Sequence, residues 1–145
     1  MSTTIHAQVD RLRAGEDPAF LMRMPSGWAV MGAAQFLQGY CLLLPDPVVP
    51  NLNALAHAAR LVFLADMAAL GDAVLAATGA IRINYAIFGN VDPALHAHVI
   101  PRYVHEPPET RSSHPWMFDW NKAPRFDPQA QAPLVAAIRA RLARS

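Results

Sequence analysis

The sequence has a single cysteine, a single lysine and no dense block of charge of either sign. Its 12 basic and 11 acidic residues leave a formal net charge of +1. A long basic surface for nucleic acid is therefore not expected, because such a surface needs clustered arginine and lysine. Cys41 lies in the apolar run 40–44 and cannot form an internal disulfide. We expect it in the core of a protein from a reducing compartment.

Segments typical of export or membrane insertion are also missing. Residues 1–6 contain neither a basic region nor an apolar stretch of signal-peptide length. The longest apolar segment, 55–77, is interrupted by Arg60, Asp66 and Asp72, so it is predicted to be a buried helix, with Asp66 at its edge, and not a membrane span. We therefore predict a cytoplasmic protein without a membrane partner.

The apolar residues that are present are enough for one core. They make up 53% of the chain, against 16% charged residues, and this predicts a single domain, 1–145. Helical spacing and capping residues predict three helices. These are a short helix over 5–13, a long helix that starts at Asn51 or Asn53 and runs to Thr78 before Gly79, and a C-terminal helix over 134–142.

Runs of branched and aromatic residues predict the strands. They lie at 28–31, at 40–44, at 81–88 and in the segment that follows Pro93. The first two are predicted to pair antiparallel, and so are the last two. The expected fold class is α+β, with an antiparallel sheet of about five strands, a long helix and a C-terminal helix.

The composition changes beyond residue 105. Five prolines lie between 107 and 128, and Trp116, Phe118 and Trp120 lie among them. The prolines predict an irregular segment, while three large aromatic residues would be unusual in free coil. We expect this segment to pack onto the domain or onto a partner subunit, as an interface or as an element that closes a site.

The chemistry of the chain is concentrated at His96 and His98. In a strand, residues two apart point to the same face, so the two imidazoles are predicted to lie side by side, roughly 6.5–7 Å apart by strand rise. Leu95, Ala97 and Val99 would then turn to the opposite, apolar face. Paired imidazoles suit nucleophilic attack, proton transfer, phosphate binding or metal ligation, because their charge changes near neutral pH.

The residues around this pair resemble the signature of the histidine triad (HIT) superfamily, His-φ-His-φ-His-φ-φ with φ apolar. The match includes the sequence from His96 to Arg102 and the upstream pair Gly89-Asn90, and the segment 39–45 is similar to the family's Gly-His…Pro element. The resemblance covers roughly residues 10 to 105 and leaves 106–145 unexplained.

The resemblance implies a role for each matched residue. His96 would be the nucleophile that attacks the α-phosphate of a nucleotide, and His98 would contact the phosphate and the leaving group. A second imidazole held cationic near the phosphate would stabilise the developing negative charge. Substrate-binding residues would be Asn84, Gly89, Asn90 and Arg102.

The chain departs from the family pattern at two positions. Ala94 stands where the first triad histidine is expected, and Gly32 stands near an asparagine that holds the ribose in some members. The missing histidine would orient its neighbour and is not the attacking group, so we expect a weaker or retuned enzyme. The resemblance also implies a homodimer and no obligatory cofactor.

Two alternatives stay open from the sequence. In one, His96 and His98 bind zinc together with His105 or His114, although no other metal-binding motif accompanies them. In the other, the domain is a catalytically weak nucleotide-binding or sensing module. The main prediction, which the resemblance implies, is a hydrolase or transferase of nucleoside phosphoramidates or dinucleoside polyphosphates that forms a nucleotidyl-histidine intermediate.

Overall fold

Five antiparallel strands form one sheet in the computed structural model, which describes residues 2–144. The strands are β1 (Phe20–Met24), β2 (Gly27–Met31), β3 (Cys41–Pro45), β4 (Arg82–Ala86) and β5 (Ala97–Arg102). Their order across the sheet is β1-β2-β3-β5-β4. The predicted α+β class is confirmed, and so are the antiparallel pairings of β2 with β3 and of β4 with β5.

Strand β1 was not predicted from the sequence. Four of its five residues are apolar, so the strand lacks the alternation that marks a half-buried strand. It forms because a tight turn brings it back against β2, where Arg23 pairs with Trp28 and Met24 with Gly27. The pairing, and not the local pattern, defines this strand.

Four helices accompany the sheet: α1 (Thr4–Arg13), α2 (His57–Thr78), the short α3 (Pro108–Arg111) and α4 (Ala132–Leu142). The predicted start of the long helix at Asn51 or Asn53 is wrong. Asn51 instead accepts a hydrogen bond from the Ala54 backbone N–H, at 2.9 Å, and caps a separate 3-10 turn. Leu55 is extended, and this breaks the helix before His57. Gly79 ends α2 as predicted, with a φ of +71° that favours glycine.

Helices α2 and α4 cover one face of the sheet and build the larger core. Phe63, Leu70 and Val74 of α2 are fully buried there, as is Ile138 of α4. Asp66 was expected at the edge of the helix but is buried, where its carboxylate accepts a hydrogen bond from the Ser26 backbone N–H at 2.7 Å. Among residues 2–144, α2 is the segment long and apolar enough to cross a membrane, but it serves here as a helix of the core.

The opposite face of the sheet is only partly covered by a helix. Helix α1 packs over one end, where Ile5 and Val9 join Val30, Leu44 and Ala94 in a second buried cluster. The rest of this face is covered by the irregular segment after residue 105, whose Phe118 and Trp120 pack beside Tyr40. A cleft is left between the two coverings.

Candidate active site

The histidine pair lies at the start of β5 and faces this cleft. His96 directly precedes the strand, which begins at Ala97, and His98 lies within it. Leu95, Ala97 and Val99 are buried in the core on the other face, as the alternation predicted. The rings of His96 and His98 are 5.0 Å apart between centroids and inclined by 68°. The two imidazoles therefore share one surface.

The ring of His96 is held in one protonation pattern by a backbone group. Its Nδ1 lies 2.7 Å from the carbonyl oxygen of Ala94. A carbonyl can only accept, so Nδ1 carries the proton and donates it. In the neutral ring the other nitrogen, Nε2, then keeps its lone pair, which is the state that a nucleophilic imidazole needs.

Ala94 holds His96 through its main chain while its own side chain fills the second core. That side chain is fully buried in the cluster that contains Ile5, Val9 and Val30. The position therefore lies under α1 and not in the cleft. Apolar packing against α1 explains the small residue at this position.

His98 is enclosed by aromatic side chains. Its Nδ1 is 2.7 Å from the hydroxyl of Tyr40, and Trp116 lies perpendicular to its ring at 5.0 Å between centroids. Burial, with a smaller contribution from the neighbouring His96, lowers the pKa of His98 to about 4. The expectation of a cationic second imidazole is therefore wrong for the ligand-free protein, in which His98 is neutral at pH 7.

The cleft beside the two histidines has a volume of about 630 Å³. Gly89 and Asn90 also line it, so four of the predicted site residues meet there. Gly89 adopts a φ of +85°, which turns the chain from β4 towards His96 and favours glycine. Asn90 is exposed at the rim, where its amide can reach a bound ligand. The volume suits a nucleotide-sized ligand.

Asn84 and Arg102 lie in a different cleft further along the same face of the sheet. The guanidinium of Arg102 makes two hydrogen bonds with Glu106, at 2.8 and 3.0 Å, and one with the Asn84 side-chain oxygen at 2.9 Å. It also donates to the backbone carbonyls of Ser113 and Thr110. The donors of the Arg102 guanidinium are thus occupied within the protein. A role of Asn84 and Arg102 in substrate binding stays a prediction.

Glu106 forms a buried ion pair with the Arg102 guanidinium. Burial would raise the pKa of its carboxyl, but hydrogen bonds from Arg102 and from the Tyr103 backbone N–H lower it below the usual value. The pair ties the end of β5 to the segment that carries Trp116. Arg102 is a structural residue in this arrangement.

Several residues that line the cleft were not predicted from the sequence. Helix α1 contributes Thr4, Ile5 and Gln8, and the others are Leu42, Phe88, Val91 and Asp92. Nothing in their local pattern distinguishes them from core or surface residues. The sequence singles out Trp116 only as part of an aromatic segment, and the structure places it over His98 and against Phe88, with 4.7 Å between the Phe88 and Trp116 ring centroids.

The histidines of the zinc alternative lie apart. His105 stacks on Tyr103, and His114 lines the cleft of Arg102. Within residues 2–144, no group of three histidine, cysteine, aspartate or glutamate side chains is placed to hold a metal ion.

Solved structures share this architecture, although no protein-family model matches the sequence and no curated protein matches it. A histidine triad protein from Sinorhizobium meliloti is 20% identical, with a TM-score of 0.74 over 90% of this chain and 93% of that one. A hypothetical histidine triad nucleotide-binding protein from Sulfolobus tokodaii is 15% identical, with a TM-score of 0.74 over 95% and 92%.

A third structure, described as a zinc-bound histidine triad family protein from Mycobacterium smegmatis, is 22% identical. Its TM-score is 0.59 over 92% of this chain and 90% of that one. All three similarities span nearly the full length of both chains. The chain has the fold of the histidine triad proteins, as the residues around His96 and His98 led us to expect.

Proposed function

We propose that this protein hydrolyses or transfers nucleotides at the α-phosphate, acting on a nucleoside phosphoramidate or a dinucleoside polyphosphate. The supporting observation is the hydrogen bond from His96 Nδ1 to the Ala94 carbonyl at 2.7 Å. It fixes the tautomer whose Nε2 carries a lone pair, on a ring that lines a nucleotide-sized cleft.

The proposed reaction has two displacements. In the first, Nε2 of His96 attacks the α-phosphorus, a P–N bond to the histidine forms, and the bond from phosphorus to the leaving group breaks. The leaving group takes up a proton from solvent and departs as an amine or a nucleotide. In the second, water attacks the same phosphorus, and the nucleoside monophosphate is released while His96 is regenerated. Dividing the displacement in this way lowers each barrier.

The surroundings of His96 supply hydrogen-bond donors for the phosphate. His98 is neutral at pH 7 and is only 5.0 Å from His96 between ring centroids. Asn90 lies at the rim, and Gly89 lines the same cleft. Donors aimed at a developing negative charge stabilise a transition state when they are held in place beforehand.

Substitution of His96 tests the proposal directly. The protein would be incubated with adenosine 5′-phosphoramidate or diadenosine tetraphosphate, and released AMP would be measured. His96→Asn should lower turnover by more than about a thousandfold, because the attacking group is lost. His57→Asn removes an exposed histidine and should leave turnover unchanged.

The covalent intermediate gives a second measurement. Rapid quenching in base should trap a protein adduct heavier by one nucleotidyl group, and this adduct should be missing in His96→Asn. Turnover that survives in His96→Asn would refute the nucleotidyl-histidine mechanism. Tight AMP binding without product from either substrate would favour the alternative, a nucleotide-binding or sensing module.

The same proposal includes a cytoplasmic homodimer. Strand β4 forms an edge of the sheet, its Tyr85 and the preceding Ile81 are exposed, and Leu75 is exposed on α2. An open edge next to exposed apolar side chains favours pairing with a second copy. Sedimentation velocity should show a dimer for the native chain and a monomer for Tyr85→Glu. A native monomer at micromolar concentration would contradict this part.

A further inference from the structure

Tyr40 contacts His98 through both its hydroxyl group and its ring. The hydroxyl of Tyr40 lies 2.7 Å from Nδ1 of His98, and the two rings are nearly parallel, with 9° between their planes. Tyr40 is 3% exposed and packs against Phe36 and Trp120. Its hydroxyl is thus fixed in place and shielded from solvent.

The direction of this hydrogen bond follows from the partners that Tyr40 has. Within residues 2–144, His98 is the single hydrogen-bond partner found for the Tyr40 hydroxyl. If His98 donated its Nδ1 proton to Tyr40, the buried phenolic O–H would be left without an acceptor, which costs free energy. Burial also raises the pKa of the Tyr40 phenol, so the hydroxyl keeps its proton. Tyr40 is therefore the donor and His98 Nδ1 the acceptor.

Gly32 makes room for this tyrosine. A Cβ atom at position 32 would lie 2.2 and 2.3 Å from two carbons of the Tyr40 ring, closer than any real contact. The glycine and the tyrosine therefore depend on one another. A ribose-binding asparagine stands near this position in some members of the family, and contact with the Tyr40 ring is a physical reason for glycine in this chain.

We propose that Tyr40 is a positioning residue that holds His98 in the tautomer with the proton on Nε2, aimed at the leaving group. The catalytic consequence rests on the proposed function, but the tautomer itself does not. His96 and His98 would then carry opposite tautomers, because a carbonyl accepts from the first Nδ1 and a phenol donates to the second. One ring offers a lone pair to phosphorus, and the other donates an N–H hydrogen bond to the departing atom, which takes its proton from solvent.

Nitrogen chemical shifts of the imidazole rings test the tautomer in the ligand-free protein. Long-range ¹H–¹⁵N correlation at pH 7 should show protonated Nε2 and bare Nδ1 for His98, and the reverse for His96. In Tyr40→Phe the His98 signals should move towards a mixture of both tautomers. A matched control is Tyr103→Phe, which removes a hydroxyl that donates to the Gln38 carbonyl and leaves His98 alone.

Two results would overturn the proposal. Protonated Nδ1 on His98 in the native chain would do so, and this measurement stands even if Tyr40→Phe fails to fold. A folded Tyr40→Phe whose His98 keeps the pure Nε2–H tautomer would also do so, because the tyrosine would then be unnecessary.

Kinetics test the consequence for catalysis. Tyr40→Phe should lower kcat for a phosphoramidate by about ten- to a hundredfold, the size typical of residues that orient a reacting group. KM should change little, and a substrate with a phenolate leaving group that needs no proton should be less affected. Equal loss on both substrates would contradict the role of His98 as a hydrogen-bond donor to the leaving group. A native chain without any turnover would instead refute the proposed function and leave the tautomer measurement valid.

Discussion

The indole of Trp116 stands perpendicular to the imidazole of His98, at 89° and 5.0 Å between ring centroids. Trp116 belongs to the segment after residue 105, outside the part of the chain that resembles the family. This segment therefore contributes to the burial that keeps His98 neutral. The part of the chain that resembles the family and the proline-rich segment after residue 105 therefore both contribute residues to one site.

The first prediction concerns acid stability. The pKa of His98 is about 4 in the folded chain, against about 6.5 when it is exposed. Between these values the unfolded chain binds a proton that the folded chain does not, so stability is complete above pH 6.5 and falls as the pH drops towards 4. Urea unfolding should show that His98→Gln loses about 2 kcal/mol less than the native chain between pH 7 and pH 5.

Removal of Trp116 provides the matched test of the cause. Trp116→Ala admits water to His98 and should raise the pKa of His98 towards 6.5. NMR titration of the His98 imidazole measures this pKa. The loss of unfolding free energy between pH 7 and pH 5 should become smaller by a corresponding amount. If the pKa of His98 stays near 4 in Trp116→Ala, burial by this segment is not the cause of the shift.

The second prediction concerns Arg102 as a structural residue. Arg102→Gln leaves the buried Glu106 carboxylate without its partner, and removal of one member of a buried ion pair costs about 3–5 kcal/mol. Thermal or urea unfolding should show this loss, and hydrogen exchange should show faster opening of residues 106–114. Arg82→Gln is the control, because Arg82 pairs with Arg102 in the sheet but is exposed. Equal stability of the two variants would argue against the assignment.

The third prediction concerns the position of the missing triad histidine. Ala94→His forces a larger, polar ring into the buried cluster under α1 and should destabilise the chain by about 1–3 kcal/mol without raising turnover. Ile5→Ala opens space in the same cluster, so the double variant should lose less than the sum of the two single losses. An Ala94→His chain with native stability and faster turnover would show that the position faces the site.

The fourth prediction concerns the dependence of Gly32 on Tyr40. Gly32→Ala should cost about 1–3 kcal/mol, because the added methyl group overlaps the buried Tyr40 ring, which packs against Phe36 and Trp120. In a Tyr40→Ala background the same substitution should cost almost nothing. A double-mutant cycle measured by urea unfolding gives the coupling, and additive losses would mean that the ring is not the obstacle.

Local patterns in the sequence determined much of the fold and the centre of the site. The alternation around His96 and His98 placed both rings on one face, and Gly79 ended the long helix, because these features depend on residues close in the chain. Strand β1 and the true start of α2 at His57 did not follow in the same way. Strand β1 depends on its pairing with β2. The start of α2 depends on the extended Leu55, which separates the 3-10 turn from the helix.

The tertiary structure alone decided which distant residues complete the site. It placed Tyr40 and Trp116 on His98, so residues from two other segments of the chain surround that ring. Burial, hydrogen-bond direction and pKa depend on contacts between segments far apart in the chain, and no local pattern records such contacts. The sequence by itself therefore identified the two imidazoles, and the fold determined their protonation.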